Sequence, residues 1–154
     1  SRDFMNDYAF IVSHLRELRR RYGLEFLGIG IDPHNAAGVM QELEALGCPV
    51  VTITQSARSL NDATVAVQLL VKGGQIEYDE RNELLTWSMV NAAIVRNSFE
   101  EIKVDKKPGA RFKRIDPVDA VIDAHALMLL QNGGGDEVDV SGELDNYLAM
   151  MGWK

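Results

Sequence analysis

Between residues 6 and 22 apolar side chains recur at Tyr8, Ile11, Leu15, Leu18 and Tyr22, in alternating steps of three and four. That spacing predicts an amphipathic helix with Arg16, Glu17, Arg19 and Arg20 turned to water, closed by Gly23. Residues 25–31 then read as a short buried strand that stops at Asp32-Pro33. Proline cannot continue a strand ladder but suits the first position of a helix. A helix is predicted from Pro33 to Leu46, with Ala36, Val39, Met40, Leu43 and Leu46 inward, and Gly47 closes it. The β-branched run 49–53 follows as a strand. Helix, strand, helix, strand predicts an α/β fold with a largely parallel sheet.

Gln55-Ser56-Ala57-Arg58-Ser59 reads as a polar loop, followed by a helix from Ala63 to Val71 that stops at Gly73-Gly74. Residues 75–78 suggest a short strand. A further helix starts near Asn82, with Leu84, Leu85, Trp87, Met89 and Val90 as its apolar body and Trp87 in the core. From Ala93 to Val104 the pattern becomes a β-hairpin turning at Arg96-Asn97-Ser98, and residues 106–110 are a loop. Asp116-Pro117 opens the last strong helix, which carries Val118, Val121, Ile122, His125, Leu127 and Leu129. Asn132-Gly133-Gly134-Gly135 breaks it. Residues 1–131 thus form one domain, and 132–154 a linker and tail ending in Leu144, Tyr147, Leu148, Met151 and Trp153.

The chain has 154 residues, 46% hydrophobic and 25% charged, enough for a single core without staples. One cysteine, Cys48, excludes an internal disulfide and suits a reducing compartment. No apolar run approaches the ~20 residues that span a bilayer, so a cytoplasmic protein is expected. The net charge is −7, but its distribution matters more: six of the 16 Lys and Arg fall at Lys103, Lys106, Lys107, Arg111, Lys113 and Arg114. That basic segment runs into Asp116.

Ile-Asp-Pro occurs twice, at 31–33 and 115–117, each time opening a helix. Either aspartate alone is explained by capping, its oxygens accepting the free N–H groups of the first turn. The pair admits a second explanation. Asp32 stands at the carboxyl end of a strand, where open α/β sheets place ligands, and Asp116 follows a basic loop. Carboxylate oxygens suit Mg²⁺ and Mn²⁺, and two such ions about 3.5–4 Å apart hydrolyse phosphodiesters. Asp116, Asp119 and Asp123 share one helix face. Asp119 is near enough to assist Asp116, whereas Asp123 lies a turn further on. His125 falls on the apolar side, His34 on the surface, and Cys48 is given no catalytic part. The upstream lysines and arginines would hold a phosphate backbone.

Ile29-Gly30-Ile31-Asp32-Pro33-His34-Asn35-Ala36, then Gln55-Ser56 with Leu60-Asn61, then Trp87-Ser88-Met89-Val90-Asn91, and Arg114-Ile115-Asp116-Pro117-Val118-Asp119-Ala120 stand in a distinctive order. In this order and spacing, from about Tyr8 to Gln131, the chain resembles the C-terminal nuclease domain of the large terminase subunit of tailed bacteriophages. The resemblance implies an RNase H-like mixed sheet flanked by helices, and a metal-dependent endonuclease that cuts concatemeric viral DNA during packaging. It implies Asp32 and Asp116 as catalytic, metal-binding acids, Asp119 as a further ligand, and Mg²⁺ or Mn²⁺ in a two-metal site. Double-stranded DNA, the terminase small subunit and the portal protein are the implied partners, in the cytoplasm of an infected host. The chain departs from the family at its front. A helix opens it where three antiparallel strands and a first catalytic acid come in the family, and Asp3 and Asp7 do not sit on a strand pattern. Without those strands a bare sheet edge would invite self-association. A catalytically incomplete docking module is the alternative. A small-molecule-binding α/β domain is less well supported, since no glycine-rich phosphate loop follows a strand.

Overall fold

A computed structural model describes residues 8–36, 38–109 and 113–132. The chain divides into two compact units, 1–54 and 55–154.

The first unit opens with α1 (Tyr8–Tyr22), then β1 (Ile29–Ile31), α2 (Pro33–Ala36), α3 (Met40–Glu44) and β2 (Val50–Thr52). β1 and β2 pair in parallel, Ile29 opposite Val50 and Ile31 opposite Thr52. The ladder extends at both ends through Ile29 N–H to the Pro49 carbonyl and Ile53 N–H to the Ile31 carbonyl. Val12, Val39, Leu43 and Leu46 form the core, flanked by Tyr8, Leu15, Ile29, Ile31, Cys48 and Val50. Val12, not Ile11, is the buried residue of α1, and Ile11 and Tyr22 are exposed. Arg19 reaches across to donate 2.8 Å to the Leu46 carbonyl, fastening the end of α1 to the turn after α3.

Two sequence expectations change here. The predicted strand 25–31 is regular only over its last three residues. The predicted helix 33–46 is two short helices interrupted around Gly38. A Cβ at Gly38 would lie 2.8 Å from a ring carbon of Tyr8, so the interruption is where the chain lets that ring approach.

The second unit comprises α4 (Ala57–Lys72), α5 (Glu83–Asn91), the hairpin β3 (Ala92–Arg96) and β4 (Ile102–Lys106), and α6 (Asp116–Asn132). α4 packs on α6 and β4, and α5 on α6. The interior is built from Leu60, Ala63, Ala66 and Val67 of α4, Ile102 of β4, and Val118, Ile122, Ala126 and Leu127 of α6. α4 starts six residues before the predicted Ala63, because Ser56 is its N-cap: the Ser56 hydroxyl accepts the Ser59 N–H at 3.1 Å. The supposed polar loop at 55–59 is therefore mostly first helical turn. Gly73 caps the other end, and Gly74 takes φ +64°.

Residues 75–78 form no strand. The hairpin is as expected, antiparallel with Ile94 opposite Val104. Its turn is organised by Asn97, whose side-chain oxygen accepts from the N–H groups of Phe99 and Glu101. α5 inverts the expectation. Ser88 and Asn91 are buried, whereas Leu84 and Val90 are exposed and Trp87 is 42% exposed rather than core. The buried polar groups turn onto their own helix, Ser88 Oγ donating to the Leu85 carbonyl and Asn91 Nδ2 to that of Trp87. Satisfied in this way they carry little penalty for burial. The expected linker and tail from residue 133 onward lie outside the described residues.

Candidate functional site

In the first unit Asp32 follows the last residue of β1. Its Oδ1 accepts the His34 N–H at 2.9 Å and stands 3.1 Å from His34 Nδ1. One oxygen therefore serves the short turn into α2. The carboxylate remains partly open, with 40% of the side chain exposed.

In the second unit the acids gather around α6. Asp116 is its first residue and mostly exposed; Arg114 approaches it at 4.0 Å. It does not cap the helix as a lone Asp-Pro would suggest. The N–H groups of Val118 and Asp119 go instead to the Ile115 carbonyl. Asp116 is thereby left presenting its oxygens to solvent. One turn on, Asp119 is half-buried, and its carboxyl is pushed up to about 6. Burial is the main cause, followed by the negative charges of Asp123, Asp116 and Asp105, with the Lys103 ammonium opposing the rise.

Two of these neighbours come from β4. Lys103 and Asp105 sit two apart on one face of a strand whose Ile102 is buried, and both act on Asp119. Asp105 escaped the sequence reading, although the Lys-x-Asp alternation carried the signal. Gln55, which the sequence shows as part of a polar segment and of the Gln55-Ser56 motif, also has a defined place. Its Nε2 donates to both oxygens of Asp123, at 2.9 and 3.1 Å. Its carbonyl faces Lys103 Nζ at 3.5 Å, a long contact. His125 is half-buried, and burial lowers its basicity.

Among the described residues no three His, Cys, Asp or Glu side chains stand together as a metal-holding group. The donor chemistry on α6 nevertheless suits a hard divalent cation. The donors are all carboxylate oxygens, and Asp119, raised chiefly by burial and then by its acidic neighbours, would be stabilised in its charged form by an added positive charge.

Of the six basic residues, Lys106, Lys107, Lys113 and Arg114 are exposed, Lys103 is half-buried against Gln55, and Arg111 lies outside the described residues. Lys107 and Lys113 line an open depression of about 390 Å³ with Val90, Asn91, Pro108 and Gly109. Gly109 takes φ +78°, which shapes the loop. The Lys107 ammonium donates to the Val90 carbonyl, and its backbone N–H to that of Asn91, at 2.9 Å. The depression is therefore braced on α5. Among the described residues no helix is long and apolar enough to cross a membrane.

The family model described as terminase large subunit, endonuclease domain, matches residues 1–131. No curated protein matches. Among solved structures, the crystal structure of the HK97 bacteriophage large terminase is similar, with a TM-score of 0.66 and 23% identity. The match covers 79% of this chain and 25% of that one, so the chain spans about a quarter of the length of that terminase. This likeness supports the mixed α/β, RNase H-like architecture. With the family match over most of its length, the chain belongs to the terminase large-subunit endonuclease-domain family.

Proposed function

We propose that this chain is the DNA-cutting domain of a phage packaging terminase, that it hydrolyses phosphodiesters with two Mg²⁺ or Mn²⁺ ions, and that Asp32 of the first unit and Asp116 and Asp119 of the second are metal-binding acids. The observation that carries this reading is Asp119, a half-buried acid among Asp123, Asp116 and Asp105, with Lys103 of the basic segment acting on it. Carboxylates concentrated against their own repulsion are characteristic of sites that function with a cation present. When bound, such ions activate a water and stabilise the leaving oxygen. The chain's own part is to supply oxygen donors at Asp116 and Asp119 on a packed helix, and at Asp32 on a strand end. Lys103, Lys106, Lys107, Arg111, Lys113 and Arg114 hold the DNA backbone by charge. The setting is the cytoplasm of an infected bacterium, with the small terminase subunit and portal as packaging partners. A second copy of the chain is a further candidate partner, through an open strand edge.

The test is Asp116→Asn in the complete terminase, assayed on plasmid DNA with Mn²⁺. Cleavage should fall by at least about 10³-fold, as for loss of a group essential to the chemistry, with the circular dichroism spectrum unchanged. Cleavage at the parental rate would overturn the metal assignment and leave a docking role in the packaging assembly as the better account.

A further inference from the structure

Asp116, Asp119 and Asp123 follow one another at spacings of three and four on one face of α6. That arrangement offers a cation two overlapping pairs of carboxylates, 116 with 119 and 119 with 123. Within the helix Asp119 feels the charge of Asp123 more than that of Asp116, so the helix by itself does not favour the 116–119 pair. The choice comes from outside it, because Asp123 alone of the three has both oxygens engaged by a side chain from a distant segment, the Gln55 amide.

We propose that Gln55 is a positioning residue for the nuclease site: by donating to both oxygens of Asp123 it withholds that carboxylate and directs the cation to the Asp116–Asp119 end of α6. This rests on the metal-binding role proposed above for Asp116 and Asp119. An amide nitrogen carries two donor hydrogens and no free lone pair, so it competes with a cation for the Asp123 oxygens without being able to ligate one. The group is also held in place. Gln55 immediately precedes Ser56, the N-cap of α4, so the rigid start of a sixteen-residue helix fixes its backbone. Lys103 Nζ faces the backbone carbonyl of Gln55 at 3.5 Å, a long contact on the same residue. Asp116 has no comparable lock: Arg114 reaches it only at 4.0 Å, and its side chain is 70% exposed.

The experiment is a Mn²⁺ titration of the full chain by calorimetry, with paramagnetic broadening of side-chain carboxylate signals as a second readout. Asp116→Asn should weaken Mn²⁺ binding by about tenfold or more, and adding Gln55→Ala to that variant should restore it, since Asp123 is released to pair with Asp119. In Gln55→Ala alone, broadening should spread to the Asp123 carboxylate. Asp123→Asn, which keeps an acceptor for the Gln55 amide, should leave Mn²⁺ affinity within about twofold of the parent. Failure of Gln55→Ala to restore binding, or a tenfold loss in Asp123→Asn, overturns this inference while leaving the nuclease reading intact. Unchanged binding in Asp116→Asn overturns both. Should Gln55→Ala fail to fold, the Asp123→Asn result decides alone.

Discussion

Asp119 is in the unusual position of a carboxylic acid that its own fold prefers protonated. Its ordinary value of 3.8 rises to about 6, chiefly through burial and then through the acids around it. The consequence for stability has a definite sign. The folded chain holds a proton that the unfolded chain gives up at lower pH, so this group favours folding most below about 4. The contribution disappears as pH rises through about 6. In the presence of a chelator, Asp119→Asn should therefore melt at a higher temperature than the parent at pH 8, with the difference vanishing near pH 4. A melting comparison at the two pH values checks it, and a gain that is equal at both would refute the electrostatic origin. On the metal-binding role proposed for Asp119, the same substitution should also impair cleavage. Thr64 is a different kind of exception: its hydroxyl is buried without a hydrogen-bond partner among the described residues.

The elements of the second unit are joined by a few specific polar bonds as much as by apolar contact. Asn61, in the second turn of α4, accepts the N–H of Ile102 at 2.9 Å, tying that helix to the first residue of β4 across 41 positions. Ile102 is buried, so its amide has no route to water once the acceptor is removed. Asn61→Ala should cost about 1–3 kcal/mol, the usual penalty for a stranded buried donor, whereas Asn61→Asp should cost less because an acceptor remains. Urea denaturation of both variants measures the difference. Since β4 also carries Lys103 and Asp105, loosening it should disturb Asp119 without any contact between Asn61 and the acids. α5 makes a related point. Its buried face is defined by Ser88 and Asn91 bonding to their own backbone, while larger apolar residues lie outside.

On the scale of the whole molecule, an overall charge of −7 coexists with a basic segment between residues 103 and 114. Within this segment Lys106, Lys107, Lys113 and Arg114 are exposed, close in sequence to the acids of α6. Nucleic-acid affinity in such an arrangement should come from a few lysines and be strongly salt-dependent. Replacing Lys107 and Lys113 by alanine should weaken DNA binding across sequences. It should also lower the slope of log affinity against log salt by about one for each phosphate no longer neutralised. Fluorescence anisotropy at several salt concentrations tests this, and an unchanged slope would move the DNA-binding surface elsewhere.

The chain's own pattern determined its element order, the parallel pairing of β1 with β2, the hairpin, and the presentation of Asp116 at the start of α6. These follow from local rules: apolar spacing, glycine stops, β-branched runs, and proline where a helix begins. The order and spacing of the Asp32, Gln55, Trp87 and Asp116 segments also led to the family. Tertiary structure decided what those rules do not contain. It put Gln55 on Asp123, brought Asp105 and Lys103 of β4 into the field of Asp119, and exposed Trp87 while burying Asn91. The physical reason is the range of the forces involved. Periodicity reports which side of an element is apolar, but a hydrogen bond across 68 residues, or a charge felt between a strand and a helix, exists only once packing has fixed the partners.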